Sequence, residues 1–497
     1  MADSETVKSE GQLQTLEVSD FESLLQKEFR PQTDNARQEV QNAVRTLAEQ
    51  ALQGSVTVSD DVVQTIKQII AEIDKKLAEQ INVILHHADF QKLEGAWRGL
   101  HYLVNNTETD EMLKIRVLNV SKKDLHKTLK KFKGAAWDQS PIFKAIYEEE
   151  YGKFGGEPYG CLVGDYYFDH SAPDVELLGE MAKISAAAHA PFITGTASSL
   201  FQMQSWSELA NPRDLSKIFE TPEYAAWKSL RESEDSKYLG LALPRFLARR
   251  PYGAKTNPVE GFDFEEQISG SAEDQFTWSN SAYAMAVNIN RSFKLYGWCS
   301  RIRGIESGGA VGGLATYTFP TDDGGVEMAC PTEIGISDRR EAELAKNGFM
   351  PLVHKKNTDF AAFIGAQSLH KPAVYDDPDA SANAALAARL PYLFATCRFA
   401  HYLKCIVRDK VGSFKERDDM KRWLQDWVIQ YVDGDPAHSS EEVKAQKPLA
   451  AAEVEVQELE GNPGFYSAQF FLRPHYQLEG LTVSLRLVSK LPSAKGG

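Results

Sequence analysis

The chain has 497 residues, 42% of them hydrophobic and 25% charged, with a net charge of -15 at pH 7. This is soluble-globular composition at a length beyond one ordinary core, and the acidic balance argues against a general nucleic-acid binder. Five cysteines stand singly at 161, 299, 330, 397 and 405 with no CxxC pair, which suits reduced thiols in a cytoplasmic protein.

Residues 1 to 18 are polar and expected to be disordered; Met1-Ala2-Asp3-Ser4-Glu5 has no basic or apolar signal region, so no signal peptide is expected. Ser19-Asp20 caps a short helix with Phe21, Leu24, Leu25 and Phe29 on one side, ended by Pro31. A second helix is expected from Asn35 to Leu52. From Ser59-Asp60 a longer stripe begins: Val62, Val63, Ile66, Ile69, Ile70, Ile73, Leu77, Ile81 and Ile84 recur at helical spacing. A second stripe follows at Phe90, Leu93, Trp97, Leu100 and Val104. Leu113, Ile115 and Val117 then alternate with Lys114 and Arg116, which reads as a strand. This helix pair exposes more apolar face than one short strand covers, so it needs the rest of the chain or another protein against it.

A helix is expected from Ser121 to Phe132, then a strand at Cys161–Phe168, a helix opened by Pro173, and a strand at Pro191–Gly195. That order is a βαβ unit and favours a parallel or mixed sheet. Residues 207 to 240 read as mostly helical and polar. Further on, a helix is expected from Trp278 to Tyr296 and short strands at 326–329, 349–354 and 360–364 around a helix at 338–346. An Ala-rich helix from Ala380 to Lys410 should kink at Pro391. Another helix follows at 416–431, linker composition at 433–452, and closing strands near 454–459, 465–472 and 481–488. In the last of these, Leu481, Val483, Leu485 and Leu487 alternate strictly with Thr482, Ser484 and Arg486. It can belong to its own sheet or be donated to a neighbour's. The fold class is mixed α/β, divided into a helical arm at 1–58, the helix pair and first strand at 59–150, an α/β core at 151–432, and a linker with closing strands at 433–497. No run of ~18 uncharged apolar residues occurs, so no membrane span is expected.

Candidate chemistry is sparse. His86-His87 with Asp89 is poorly placed for one metal ion, because adjacent helical residues point about 100° apart. The loop Gly308-Gly309-Ala310-Val311-Gly312-Gly313 lacks the Gly-Lys-Ser/Thr ending of a P-loop and does not fit GxGxxG, so a strand connection is its default reading. An α/β enzyme with a site near Gly304 to Gly313 stays as an alternative. Asp165, Asp169 and Asp174 could hold a cation, but acids at a strand end usually face water. Arg245, Arg249 and Arg250 form a local basic cluster. It reads equally as a surface for an acidic neighbour or as internal pairing with Glu260, Asp263, Glu265 and Glu266.

The words of the sequence say more than its periods. The segment His87-Ala88-Asp89-Phe90-Gln91-Lys92-Leu93-Glu94-Gly95-Ala96-Trp97-Arg98-Gly99-Leu100 resembles a signature of the large sheath subunit of the bacterial type VI secretion system, the TssC/VipB/EvpB family. The resemblance continues through Leu243-Pro244-Arg245-Phe246-Leu247-Ala248-Arg249-Arg250-Pro251-Tyr252-Gly253, Cys330-Pro331-Thr332-Glu333-Ile334, Asp338–Leu344 and 347–369. It implies a fold like that of phage tail sheaths, with exchanged terminal strands, and a structural role with no cofactor and no catalytic residue. It implies partnership with a small TssB/VipA-like subunit, self-assembly into a helical polymer around a tube of Hcp rings, and contraction without nucleotide hydrolysis. The polymer would sit in the bacterial cytoplasm on a membrane-anchored baseplate and be dismantled by a ClpV-like AAA+ ATPase. On this basis Phe21, Leu24, Leu25 and Phe29 are expected to be the ATPase-recognition helix. Ile66, Ile70, Ile73, Leu77, Leu93 and Trp97 are expected to pack on the small subunit. Leu481, Val483, Leu485 and Leu487 are expected to form an inter-subunit strand, and Arg245, Arg249 and Arg250 an interface patch. A sheath of another phage-like injection machine is the nearest alternative.

Overall fold

Two helices open the described chain, α1 (Val62–Leu85) and α2 (Ala88–Asn105). The structure is a computed structural model that describes residues 62–475 except 212–213, 269–272, 321–323, 411–416 and 459–465, together with 34, 35, 38, 39 and 42. The expected arm helix with Phe21 to Phe29 and the expected strand with Leu481 to Leu487 lie outside the described residues. The chain divides into two compact units, one of residues 1–92 and 250–276, the other of 93–249 and 277–497.

In the first unit one buried side chain ties α1 to the 250–276 segment. Asn82 Nδ2 donates to the Glu265 carbonyl at 3.2 Å, and the Gln267 N–H donates to Asn82 Oδ1 at 2.8 Å. An amide carries a donor and an acceptor, so one Asn pairs with two backbone groups of the segment at once. Between them Glu266 turns back: its N–H donates to the Tyr252 carbonyl at 2.9 Å and its carboxylate accepts the Tyr252 N–H at 2.8 Å.

The second unit is built on a six-stranded mixed sheet. Its strands are β1 (Leu162–Phe168), β2 (Phe192–Thr196), β3 (Leu239–Leu243), β4 (Ala310–Val311), β5 (Phe349–His354) and β6 (Ala361–Phe363), lying in the order β1-β2-β3-β5-β6-β4. Neighbours are parallel from β1 to β5 and antiparallel beyond it. α3 (Lys122–Lys131) starts at Ser121, whose Oγ accepts the Asp124 N–H at 3.1 Å. α4 (Ala172–Ala188) is the crossover between β1 and β2. Every residue of β2 and β3 is buried, as expected where helices cover both faces of parallel strands. Alternation sorts their side chains: Phe192, Leu239, Leu241 and Leu243 join α4 in one core. Ile193, Ala242, Met350 and Leu352 join Ala284, Met285 and Ile289 of the helix α5 (Ser281–Tyr296) in another. A third core gathers Trp298, Phe399, Leu424 and Val428 against the hairpin of β7 (Leu449–Glu458) and β8 (Tyr466–Pro474).

Four expectations are corrected. Leu113 and Ile115 are half-buried and Lys114 and Arg116 exposed, but Val117 is exposed too, so the alternation stops there, and no ladder forms among the described residues. The segment is held by its charges instead: Lys114 pairs with Glu157, and Arg116 with Glu150 and Glu157. The stretch from 207 to 240 is mostly short helices, as expected, but it is not polar throughout: it buries Leu209, Leu215, Trp227 and Leu230 and leads into β3 at the middle of the sheet. The Ala-rich helix is broken rather than kinked, into Pro378–Ala387 and Leu390–Lys410. The break is stabilised because the Leu390 N–H donates to the Ala366 carbonyl at 3.1 Å and the Ser368 N–H to the Ala388 carbonyl at 3.2 Å. Pro391 then falls in the first turn of the second piece, where its missing N–H costs nothing. Finally, 433–452 is not a linker: it holds the helix Glu441–Gln446, the start of β7 and a buried Asp433.

Candidate functional site

The arginine cluster does not form one surface patch. Arg249 is buried, its side chain 5% exposed, with Nε 2.6 Å from Glu94 Oε1 and Nη2 3.2 Å from Glu94 Oε2. The same carboxylate accepts Arg98 Nε at 2.8 Å and the Thr277 hydroxyl at 2.9 Å. Burial pushes the Glu94 carboxyl up, but the bonds from Arg249, Arg98 and Thr277 outweigh it and hold the group below its ordinary value. Arg245 pairs with Glu333, whose other oxygen accepts the Arg245 N–H at 2.9 Å, and its guanidinium lies over the Tyr167 ring at 5.7 Å. Thus Arg245 and Arg249 are paired within the chain, with Glu333 and Glu94. Arg250 is exposed.

α2 has two apolar faces. The buried one is Gly95, Gly99 and Leu103, spaced four residues apart. A Cβ on Gly95 would lie 2.3 Å from the Trp278 carbonyl oxygen, and one on Gly99 would lie 2.4 Å from Tyr283 Cδ2. The Ser279 hydroxyl donates to the Gly95 carbonyl at 2.8 Å across this contact. The other face carries residues expected to pack on a small subunit: Leu93 is 57% and Trp97 65% exposed. On α1, Ile70 is 52% exposed while Ile73 and Leu77 are half-buried; the Ile66 side chain lies outside the described ones. Sequence reasoning missed the glycine face because glycine carries no hydropathy signal; the Gly-x-x-x-Gly spacing was there to be read.

The other candidates resolve into internal contacts. The Gly309 N–H donates to the Gly304 carbonyl, the Gly304 N–H to the Phe363 carbonyl, and Arg291 Nη2 to the carbonyls of Gly308 and Ala310. The glycine loop is therefore a strand connection with those amides already engaged. Asp174 accepts Lys122 Nζ at 2.6 Å and the Asp169 N–H at 2.9 Å, while burial pushes the Asp165 carboxyl up against hydrogen bonds from Asn280 and Tyr283. Among the described residues no group of three or more His, Cys, Asp or Glu is arranged to hold a metal ion, and no helix is long and apolar enough to cross a membrane.

The hairpin has unequal edges. On the outer side of β7, the Val454 N–H donates to Gln425 Oε1 at 2.9 Å and Gln425 Nε2 donates to the Ala452 carbonyl at 3.2 Å. β8 has no second strand beside it among the described residues, and Phe471 on it is exposed.

Comparison with known proteins gives a consistent picture. The profile of the EvpB/VC_A0108 tail sheath N-terminal domain matches residues 67–370, and that of the EvpB/VC_A0108 tail sheath gpW/gp25-like domain matches 379–491. The type VI secretion system sheath protein TssC1 of Pseudomonas aeruginosa is 75% identical over 487 residues, covering 98% of each chain. Among solved structures, a chain of the anti-feeding prophage baseplate aligns over 63% of this chain and 65% of its own, with 11% identity and a TM-score of 0.34. A chain of the contracted PVC sheath complex of an extracellular contractile injection system aligns over 62% and 68%, with 11% identity and a TM-score of 0.33.

Proposed function

Because the chain belongs to the EvpB/VC_A0108 tail sheath family, we propose that it is the large subunit of a type VI secretion contractile sheath. In this reading it co-assembles with a small TssB/VipA-like subunit into a helical polymer around an Hcp tube. The polymer contracts from a membrane-anchored baseplate in the bacterial cytoplasm and is recycled by a ClpV-like AAA+ ATPase. The observation that carries the reading is the 75% identity to a type VI sheath protein along nearly the whole chain.

Three surfaces have roles in it. Leu93 and Trp97, exposed on α2, take the small subunit, and so, separately on α1, does the stripe with the exposed Ile70 and the half-buried Ile73 and Leu77, to which the sequence adds Ile66. Covering a Leu- or Ile-sized side chain contributes ~1.5–3 kcal/mol, enough for a few such residues to hold a partner. The Leu481–Leu487 strand extends a neighbour's sheet, and the single-sided pairing of β8 supports a hairpin able to accept a strand. The helix with Phe21, Leu24, Leu25 and Phe29 is the ATPase handle; at ~10 residues it is too short to be stable alone and folds on docking. Arg250 is the exposed member of the arginine cluster and the one assigned to the interface.

Negative-stain microscopy of the chain co-expressed with a small sheath subunit tests the reading. Tubules are expected from the full chain, and a folded two-subunit complex without tubules from a chain lacking residues 480–497. Absence of any polymer from the full-length pair refutes the sheath role; normal tubules from the truncated pair refute strand exchange alone.

A further inference from the structure

One cluster of reactive groups belongs to none of the surfaces above. Cys330 follows the short strand Val326–Ala329, and His354 ends β5. Cys330 Sγ lies 3.4 Å from His354 Nδ1 and 3.1 Å from Thr332 Oγ1. On the far side of the ring, His354 Nε2 donates to the Thr358 carbonyl at 2.7 Å, which fixes the ring's orientation and leaves Nδ1 turned to the sulfur. Nucleophile, base and a third group that orients the base are thus in contact, the arrangement that activates a thiol. Both residues are half-buried, so the sulfur is neither sealed in the core nor fully solvated.

The electrostatics favour the same assignment. Burial pushes the Cys330 thiol up, but hydrogen bonds from His354 and from the hydroxyl and N–H of Thr332 outweigh it and bring it below its ordinary value. Burial lowers His354, yet Cys330 and the Thr358 carbonyl outweigh that and raise it. Of the two acids three residues from Cys330, Glu333 is occupied by Arg245 and Glu327 is exposed. Three other cysteines go the opposite way: burial pushes Cys161, Cys299 and Cys397 up, with Cys299 at about 12.

We propose that Cys330 and His354 form a thiolate–imidazolium site at which the chain is modified by low-molecular-weight disulfides. The Cys330 thiolate attacks one sulfur of the disulfide; that S–S bond breaks and a mixed disulfide forms on Cys330. The departing thiolate takes the proton from the His354 imidazolium, so one disulfide is consumed, one is made and one thiol is released. The small disulfide is itself the oxidant, one of its sulfurs being reduced to the released thiol, and no other oxidant or reductant is required. The adduct sits two residues before Thr332, whose backbone pairs with Phe246, and three before the Arg245–Glu333 pair. Its bulk acts on the segment that holds these in place.

The test is treatment of the purified full chain, in complex with its small subunit, with oxidised glutathione, followed by peptide mass spectrometry of all five cysteines. Cys330 should acquire glutathione at least about tenfold faster than Cys161, Cys299 and Cys397 at pH 7. Its rate should level off below the ~8.5 of an ordinary thiol. H354Q should slow the reaction and move the plateau up. If H354Q does not fold, the pH profile of the unsubstituted chain decides. A Cys330 rate no greater than that of the other cysteines, or a profile that still climbs through pH 8.5, overturns the proposal.

Discussion

The Glu94–Arg249 pair makes a quantitative prediction that separates a structural arginine from an interface arginine. R249M keeps the length of the side chain and removes the charge. It leaves Glu94 nearly buried, with Arg98 and the Thr277 hydroxyl as remaining partners. Breaking a buried pair from one side costs ~3–5 kcal/mol where the remaining charge is uncompensated; here Arg98 and Thr277 still bond Glu94, so the loss is that of charge-assisted hydrogen bonds, ~2–3 kcal/mol. At about 2 °C per kcal/mol, appropriate to a large domain, the melting temperature should fall by ~4–6 °C. Removing the carboxylate as well, in E94L/R249M, should recover most of that loss, since two apolar side chains of similar volume need no solvation. The assay is thermal unfolding of the complex with the small subunit, followed by circular dichroism, with tubule formation scored in parallel. A loss below ~1 kcal/mol in R249M, or a double variant no more stable than the single, would refute the internal role. Unchanged melting with lost tubules would return Arg249 to the surface.

Three further outcomes are expected. G95A should destabilise the chain by ~1–3 kcal/mol by overpacking against the Trp278 carbonyl, despite a helix-propensity gain of ~1 kcal/mol; a stabilised variant in a melt would contradict the close approach. L93S/W97S should leave the fold intact and weaken co-purification of the small subunit at least tenfold, whereas an unfolded variant would place these residues in the core instead. His401 is buried, with burial lowering its imidazole to about 4 against the pull of the Ala188 carbonyl, helped by the charges of Arg398, His189 and Lys404. The folded state then binds fewer protons than the unfolded one between pH 6.5 and about 4, so stability falls with pH across that window by ~3 kcal/mol. Urea titrations should show a shallower acid limb in H401Q, and identical limbs would remove His401 from the account.

What could be read from sequence follows from where the information lies. The strand–helix–strand order at 162–196 was legible because a βαβ unit is encoded locally, by period and turn signals. β3 was not: Leu239-Gly240-Leu241-Ala242-Leu243 is a short apolar run buried on both faces, and such a run has no period to betray it. The reverse error occurred at Leu113–Val117, where alternation marks a half-buried extended segment but cannot supply a pairing strand. On α2 the stripe with Leu93 and Trp97 is legible as a face needing cover, and both residues are exposed, but a stripe reports that something must cover it and not what. The arginines failed for a similar reason. Glu94 is 155 residues from Arg249 in sequence, and pairing at that range is a property of the fold alone.

The glycine face of α2 also sets how force passes through this helix. Most helices rest on a layer of side chains, which adapts by small rotamer adjustments when pushed. Here the backbone at Gly95 meets the backbone at Trp278 with no such cushion, and a hydrogen bond from Ser279 pins the contact. Close-packed interiors have low compressibility, and a contact between two main chains is their stiffest form. A load applied at Leu93 or Trp97, on the opposite side of the same two turns, is therefore delivered to Trp278 and Tyr283 with little lost to local give. In the proposed sheath, such a joint would have the compliance of a bearing seat rather than of a spring.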